Sequence, residues 1–184
     1  MTMDWLRPLC VASGLLLLAS GAVAGELRVS IDGLRSSDGT ILIGLYDSAE
    51  SFNRAIELSD KEGFLNDPNR VAGVAVKANA SLAGGVVLTN LQPGRYALIL
   101  FHDENGNGRL DKNFWGVPTE PYGFSNNAQG FLGPPSFEDA AMTLDDSDKA
   151  VVVTLVYHSS GRYDSSADRE DGETPAVAKQ STVR

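Results

Sequence analysis

The sequence is poor in the residues that build most covalent and transition-metal chemistry. It has one cysteine, Cys10, and two histidines, His102 and His158. Because Cys10 lies in the N-terminal apolar run, we expect the mature protein to contain no cysteine. That composition excludes a disulfide framework, a thiolate metal site and a cysteine nucleophile from the mature chain.

Positive charge is also scarce. Lys and Arg number 15 against 24 Asp and Glu, and the formal net charge is −9. A negative field of this kind repels nucleic acid and anionic membranes, and it favours cationic partners or simple solubility. We therefore expect no nucleic-acid partner.

The first 24 residues have the organisation of a cleavable secretory signal. Arg7 supplies the positive region, residues 9–19 form the apolar region, and Ala22-Val23-Ala24 gives a small-x-small cleavage site before Gly25. The apolar run is shorter than the roughly 20 residues that span a bilayer, so a retained anchor fits less well. We expect a periplasmic or secreted protein without a transmembrane segment after processing.

From residue 26 onward, short β-type runs alternate with turn clusters. Leu27, Val29 and Ile31 recur with the period of a half-buried strand, and the spacing predicts about seven strands. The expected fold is an all-β, antiparallel, Ig-like sandwich over residues 25–158, with a long Gly/Asn/Pro-rich loop. One short helical insert is expected within residues 48–64, capped near Ser51. Residues 159–184 contain almost no large apolar side chains and are predicted to be a disordered polar tail.

One aromatic residue has two interpretations. Tyr96 follows a Pro-Gly turn and opens a strand. This placement fits a tyrosine corner, in which the hydroxyl bonds to backbone a few residues upstream, and equally fits an ordinary edge aromatic.

An oxygen-rich loop is the sharpest chemical signal. Counted from Asp103, oxygen-bearing side chains fall at positions one, three, five and nine, and glycine falls at position six. This spacing matches the first part of an EF-hand calcium loop, in which position seven donates its backbone carbonyl. The expected ligands of Ca²⁺ are Asp103, Asn105, Asn107, Arg109 (through its carbonyl) and Asp111.

The loop departs from an EF-hand at its end. Position twelve is Phe114, so the bidentate glutamate is missing, and the loop follows a strand. A distant carboxylate could complete the shell, and the candidates are Glu104, Glu120, Glu138 and Asp139. With two certain carboxylates, affinity should be weak, on the order of 10⁻⁴ to 10⁻³ M. The alternative is a plain hairpin loop, because Asn-Gly pairs make tight turns without metal.

Enzymatic constellations are weaker. Ser125 or Ser136 with His102 could be imagined as a hydrolase triad, but no Gly-x-Ser-x-Gly elbow is present. Glu138 and Asp139 beside Ser136 fit a capped helix start better than a glycosidase pair. The aromatic segment 114–124 could bind a sugar ring or a partner, and we favour a lid that seals one end of the sandwich.

Four stretches carry a family resemblance: LQPGRYA at 91–97, HDENGNG at 102–108, PTEPYGFSNN at 118–127 and GPPSFEDA at 133–140. Together they resemble the exported bacterial family called domain of unknown function 2141, over residues 27–156. That family has no established activity, so the resemblance implies export and carries over no catalytic residue. The turn and loop are also similar to prealbumin-like and adhesin repeat sandwiches, some of which bind calcium there. The chain departs from the family in a longer insert at about residues 55–69 and in its tail.

These features favour an exported, non-enzymatic binding module with a calcium loop. Its partner is not specified by the sequence, and a glycan or an envelope protein would fit. One alternative is a secreted hydrolase that acts on a polysaccharide through Glu120 or Glu138. The other is a structural envelope-associated protein without a ligand.

Overall fold

The computed structural model describes residues 25–79, 82 and 84–158. Within these ranges eight strands follow one another: β1 (Gly25–Asp32), β2 (Thr40–Tyr46), β3 (Ala72–Lys77), β4 (Val86–Leu91), β5 (Gly94–Asp103), β6 (Tyr122–Phe124), β7 (Met142–Leu144) and β8 (Lys149–Thr154). Helix α1 (Ala49–Leu58) follows β2, and the single-turn helix α2 (Phe137–Ala140) precedes β7. Two 3-10 turns lie at Phe64–Asn66 and Ser125–Asn127. The prediction of an all-β fold with a small helical insert is confirmed.

The strands form two sheets. One has the order β4-β1-β8 and the other β3-β2-β5-β6, with β7 pairing the opening residues of β5. The pairing is antiparallel except between β1 and β8, which run parallel from Leu27 opposite Lys149 to Asp32 opposite Thr154. The first strand of the domain is thus held by the last, a contact between distant parts of the chain.

Alternation in β1 and β5 explains how the layers pack. Leu27 and Val29 of β1 are fully buried and face Leu98 and Leu100 of β5 in the core between the sheets. The other face of β5 is buried too, because α1 and the long loop cover it. Phe101 on that face belongs to a second apolar cluster with the aromatic side chains Phe52, Phe64, Phe124 and Phe137. β5 therefore sits at the centre of both cores.

The cap of the helical insert lies three residues before the predicted position, and the helix itself begins at Ala49. The N-cap is Ser48, whose backbone is extended (φ −144°, ψ 155°). Its side-chain oxygen accepts a hydrogen bond from the N–H of Ser51 at 3.3 Å. Ser51 lies in the first turn and donates its own hydroxyl to the Ser48 carbonyl at 3.1 Å. Both serines suit a cap, and the end of β2 at Tyr46 decides between them.

Tyr96 forms a tyrosine corner. Its hydroxyl donates to the backbone carbonyl of Gln92 at 2.7 Å, and the side chain is 6% exposed. The hydrogen bond fastens the start of β5 to the turn before it.

Two predicted segments, the signal at residues 1–24 and the tail at residues 159–184, lie outside the described residues. Over the part of the chain that is described, no helix has the length and apolar character needed to cross a membrane.

Candidate functional site: the Asp103 loop and the adjoining aromatic groove

The predicted loop starts where β5 ends. Asp103 is the last residue of β5 and is 2% exposed. The chain then turns sharply through Gly106 (φ 75°) and Gly108 (φ 79°), two left-handed positions that glycine adopts without strain.

The loop winds around the carboxylate of Asp103. Oδ1 accepts hydrogen bonds from the N–H groups of Gly106 at 2.8 Å and Asn107 at 3.0 Å, and Oδ2 accepts one from Gly108 at 2.7 Å. Asp103 therefore organises the backbone of positions four, five and six of the loop, and this is more than a two-residue turn requires.

The remaining predicted residues meet at Asp111. Asn105 donates from Nδ2 to Asp111 Oδ2 at 2.6 Å, and Asn107 donates from Nδ2 to both carboxylate oxygens at 3.0 and 3.1 Å. The side chain of Arg109, predicted to contribute only its carbonyl, lies 3.3 Å from Asp111 Oδ1 through Nε. Burial acts to raise the pKa of Asp111, but the amide hydrogen bonds and the Arg109 charge outweigh it, and the pKa is lowered.

The amide oxygens of the loop have backbone partners. Asn105 Oδ1 accepts the N–H of Asn107 at 3.0 Å, and Asn107 Oδ1 accepts the N–H of Arg109 at 3.0 Å. Each asparagine thus fixes the backbone two residues further on while its NH₂ group points at Asp111.

A third carboxylate, Glu120, closes the base of the loop. Glu120 is 5% exposed; its Oε1 accepts the N–H of Glu104 at 2.9 Å and its Oε2 accepts the N–H of Asp111 at 3.0 Å. Burial raises the pKa of Glu120, the two backbone hydrogen bonds lower it, and the nearby charges of Asp111 and Asp103 raise it further. Glu120 was one of the four carboxylates predicted from the sequence as candidates to complete the calcium shell, and no sequence pattern distinguished it from the other three.

The other three candidates lie in different surroundings. Glu104 directs Oε1 toward His102 Nδ1 at 3.8 Å. Glu138 pairs with Arg95 at 2.7 Å, and Asp139 forms a capping box with Ser136 at the start of α2. The capped-helix interpretation of Glu138 and Asp139 is therefore confirmed.

The loop offers oxygen ligands of mixed type. Within the described residues, no three carboxylate, imidazole or thiolate groups converge as the ligands of one metal ion. A cation here would need the amide oxygens of Asn105 and Asn107 and a backbone carbonyl beside the carboxylates. Calcium accepts such a set, because it takes six to eight oxygens of any of these kinds in flexible geometry.

The imagined hydrolase triad is not assembled. His102 is fully buried, with Nε2 2.6 Å from the carbonyl of Asp38. Ser125 is also fully buried; its hydroxyl accepts the N–H of Leu98 at 2.9 Å and donates to the Ala140 carbonyl at 2.5 Å. Ser136 is the cap of α2. Each residue has a structural role, as a strand end, a core link or a helix cap.

A short hairpin rises directly from the loop. Lys112 and Pro118 form an antiparallel bridge, and Asn113 Oδ1 accepts the N–H groups of Trp115 at 2.9 Å and Val117 at 3.0 Å. At the tip, Phe114 is 93% exposed and Trp115 is 84% exposed. The interpretation of this segment as a lid is wrong at the tip, because these rings face solvent, whereas Phe124 does pack into the second core.

A groove of about 420 Å³ lies between this hairpin and a second exposed loop. Phe131 and Leu132 of that loop are 97% and 93% exposed. The floor is apolar, and polar groups at the wall include Lys112 and the hydrogen-bonded pair of Tyr122 Oη and His158 Nε2 at 2.7 Å. The contribution of Phe131 and Leu132 was missed in the sequence, where two apolar residues among glycines and prolines carry no periodic signal.

No curated protein and no solved structure matches the chain. Residues 29–152 match the family described as "Uncharacterized protein conserved in bacteria (DUF2141)". The matched range runs from β1 into β8 and so includes both sheets, the Asp103 loop and the groove. Because it covers more than half of the sequence, the chain belongs to that family.

Proposed function

We propose that this protein is an exported, non-enzymatic binding module in which Ca²⁺ bound by residues 103–111 orders an aromatic ligand-binding groove. The observation that carries the proposal is the winding of the loop around the buried carboxylate of Asp103, with Asn105, Asn107 and Asp111 gathered beside it. The signal that the sequence predicts at residues 1–24 supports export.

Calcium fits the chemistry of this loop better than other ions. The ligands are hard oxygens from carboxylates and amides, and their flexible arrangement does not impose the strict octahedron that Mg²⁺ demands. The amide groups of Asn105 and Asn107 now stabilise the charged carboxylate of Asp111 by hydrogen bonding. A bound ion would replace those donors, with the amide oxygens and Asp111 turned toward it.

Hydrogen bonds at Asp111 connect the loop to the aromatic hairpin. Asp111 uses its carbonyl to accept the N–H of Thr119 at 2.8 Å, and its own N–H is held by Glu120 at 3.0 Å. An ion that fixes Asp111 would therefore also fix the two strands of the hairpin that carries Phe114 and Trp115. Calcium would act on the groove through this connection.

The groove suits a glycan. Exposed aromatic rings at its rim, Trp115 foremost, provide flat apolar faces for stacking on sugar rings. The wall adds hydrogen-bonding groups at Lys112, Tyr122 and His158. Exposed apolar surface of this kind also marks protein interfaces, so an envelope protein is the competing partner.

The carboxylates named for the alternative polysaccharide hydrolase are engaged elsewhere. Glu120 uses both oxygens on backbone N–H groups, and Glu138 forms a surface ion pair with Arg95. Neither lines the groove. No observation favours the purely structural role over the binding module.

Thermal unfolding of the mature protein tests the calcium site. The melting temperature is measured in EDTA, in millimolar Ca²⁺ and in equal Mg²⁺. At ten times the dissociation constant, mass action stabilises the folded state by about 1.4 kcal/mol, so we expect a rise of a few degrees that is specific to calcium. Asp111→Asn should abolish the rise and the exposed control Asp146→Asn should keep it. No rise at ten times the expected dissociation constant, roughly 10⁻² M, would reduce the loop to a turn.

A glycan-array measurement with and without calcium tests the groove. We expect binding to a defined class of glycans that is lost in Trp115→Ala and retained in Val152→Ala, which truncates an exposed apolar residue on β8. Calcium-dependent binding to an envelope protein with no glycan retained would assign the groove to the competing partner.

A further inference from the structure

We infer that Asn105 is a site of spontaneous deamidation, that Asn107 is a slower one, and that Asp103 restrains both. Each asparagine is followed by glycine, Gly106 and Gly108. This inference concerns covalent chemistry of the chain and holds whether or not the loop binds calcium.

The reaction requires only the chain and water. The backbone nitrogen of Gly106 attacks Cγ of Asn105 and gives up its proton, while the bond from Cγ to Nδ2 breaks and that nitrogen leaves as ammonia. Water then opens the resulting succinimide ring. Rupture of the bond between Cγ and the Gly106 nitrogen gives aspartate, and rupture of the backbone bond gives isoaspartate. In both cases a neutral amide becomes a carboxylate.

Neither attacking residue is crowded by its neighbours. A Cβ placed on Gly106 or Gly108 would meet no atom within 4 Å, so nothing packs against either glycine on that side, and glycine has no side chain of its own to shield its nitrogen from the preceding asparagine. The side chain of Asn105 is exposed and makes one hydrogen bond to Asp111, whereas Asn107 is half-buried and makes two. The reaction should therefore be faster at Asn105.

Asp103 opposes the reaction at the attacking atoms. Its two carboxylate oxygens accept the N–H groups of Gly106 at 2.8 Å and Gly108 at 2.7 Å, and these are the two nitrogens that must attack. A nitrogen held by this hydrogen bond must leave it to reach Cγ and lose its proton. One buried carboxylate thus restrains both sites.

Peptide mapping by mass spectrometry measures the rates. The folded mature protein is incubated at neutral pH in EDTA, which removes any effect of calcium, and conversion is followed at each asparagine. We expect Asn105 to convert several-fold faster than Asn107, and Asn113 to remain unchanged. Asn113 is an internal control, because it is exposed but is followed by the bulky Phe114. Equal conversion at Asn105 and Asn113 would overturn the assignment.

The variant Asp103→Ala, which removes both acceptor oxygens, tests the restraint. We expect conversion to rise several-fold at both Asn105 and Asn107. Ser136→Ala, which removes the cap of α2 without touching the loop, controls for general destabilisation and should leave both rates unchanged. Unchanged or slower conversion in Asp103→Ala, or an equal acceleration in Ser136→Ala, would overturn the restraint. If deamidation occurs as expected but calcium does not stabilise the protein, the proposed calcium-dependent function is wrong and the present inference stands.

Discussion

Glu120 accepts the backbone N–H of Asp111 at 3.0 Å, across the base of a loop whose twelve counted positions do not include it. Its other oxygen accepts the N–H of Glu104 at 2.9 Å. The two bonds close residues 104–111 into a ring fastened to the end of β5. Glu120 is therefore a structural clamp of the candidate site, whatever the site binds.

Removal of this clamp should destabilise the fold. In Glu120→Ala the part-buried N–H groups of Glu104 and Asp111 lose their acceptor, and a hydrogen bond to a charged group contributes about 1.5–3 kcal/mol. We expect a lower free energy of unfolding in urea denaturation. Glu138→Ala is the matched control, since its ion pair with Arg95 is exposed and such pairs contribute about 0–1 kcal/mol. Equal effects of the two variants would contradict the clamp.

The raised pKa of Glu120 predicts the sign of a pH effect. Because the folded-state pKa lies above the unfolded value of about 4.3, the folded state retains the proton more strongly. The stability that this proton supplies is present below the unfolded pKa and is lost as pH rises through the folded pKa. Glu120→Gln stays neutral throughout. The free energy of unfolding of the wild type minus that of Glu120→Gln should therefore decrease as pH rises through this window. Urea denaturation of both proteins at a series of pH values measures it, and an increase would contradict the prediction.

Ser125 joins its own 3-10 turn to β5 and α2, and removal of its hydroxyl should lower the stability of the fold. Its hydroxyl links the N–H of Leu98 in β5 to the carbonyl of Ala140 in α2, and both partners are buried. We expect Ser125→Ala to lower the free energy of unfolding by about 1–3 kcal/mol. Thr143→Ala, exposed on β7, should change it by less than about 0.5 kcal/mol. A Ser125→Ala protein as stable as wild type would show that these bonds are replaced.

Local patterns predicted the local features of this molecule. The alternation of Leu27 and Val29 identified β1, and the turn before Tyr96 identified a corner that the hydrogen bond to Gln92 confirms. The spacing from Asp103 to Asp111 predicted that these side chains gather in one loop, because such a loop is defined by the spacing of residues within one short segment.

Features that depend on distant pairing could not be predicted in this way. β1 and β8 pair in parallel although more than a hundred residues separate them, and no short pattern records their register. The sequence could not select Glu120 from the four candidate carboxylates, because it is the bridge between Lys112 and Pro118 that brings Glu120 back to the base of the loop. Phe114 and Trp115 were expected to fold back as part of a lid, but burial requires a partner surface, and the hairpin leaves both rings exposed to solvent.

The contact between Asn105 and Asp111 gives a prediction that separates the charge of the loop from its shape. In Asn105→Asp the amide that donates to Asp111 at 2.6 Å becomes a carboxylate, so a hydrogen bond is replaced by repulsion between like charges. At about 4 Å in water this repulsion is about 1 kcal/mol. We expect the variant to unfold at lower urea concentration than wild type in EDTA.

Calcium should reverse this effect. An added carboxylate raises the charge of the ligand set, and affinity in loops of this type rises with that charge. Asn105→Asp should therefore gain more stability from millimolar Ca²⁺ than the wild type gains, because the ion neutralises the repulsion that the substitution creates. Asn113→Asp places the same charge in the adjoining hairpin and should show no extra gain. If Asn105→Asp is destabilised in EDTA but gains no more from calcium than Asn113→Asp does, the contact with Asp111 stands and the ion does not lie between the two residues.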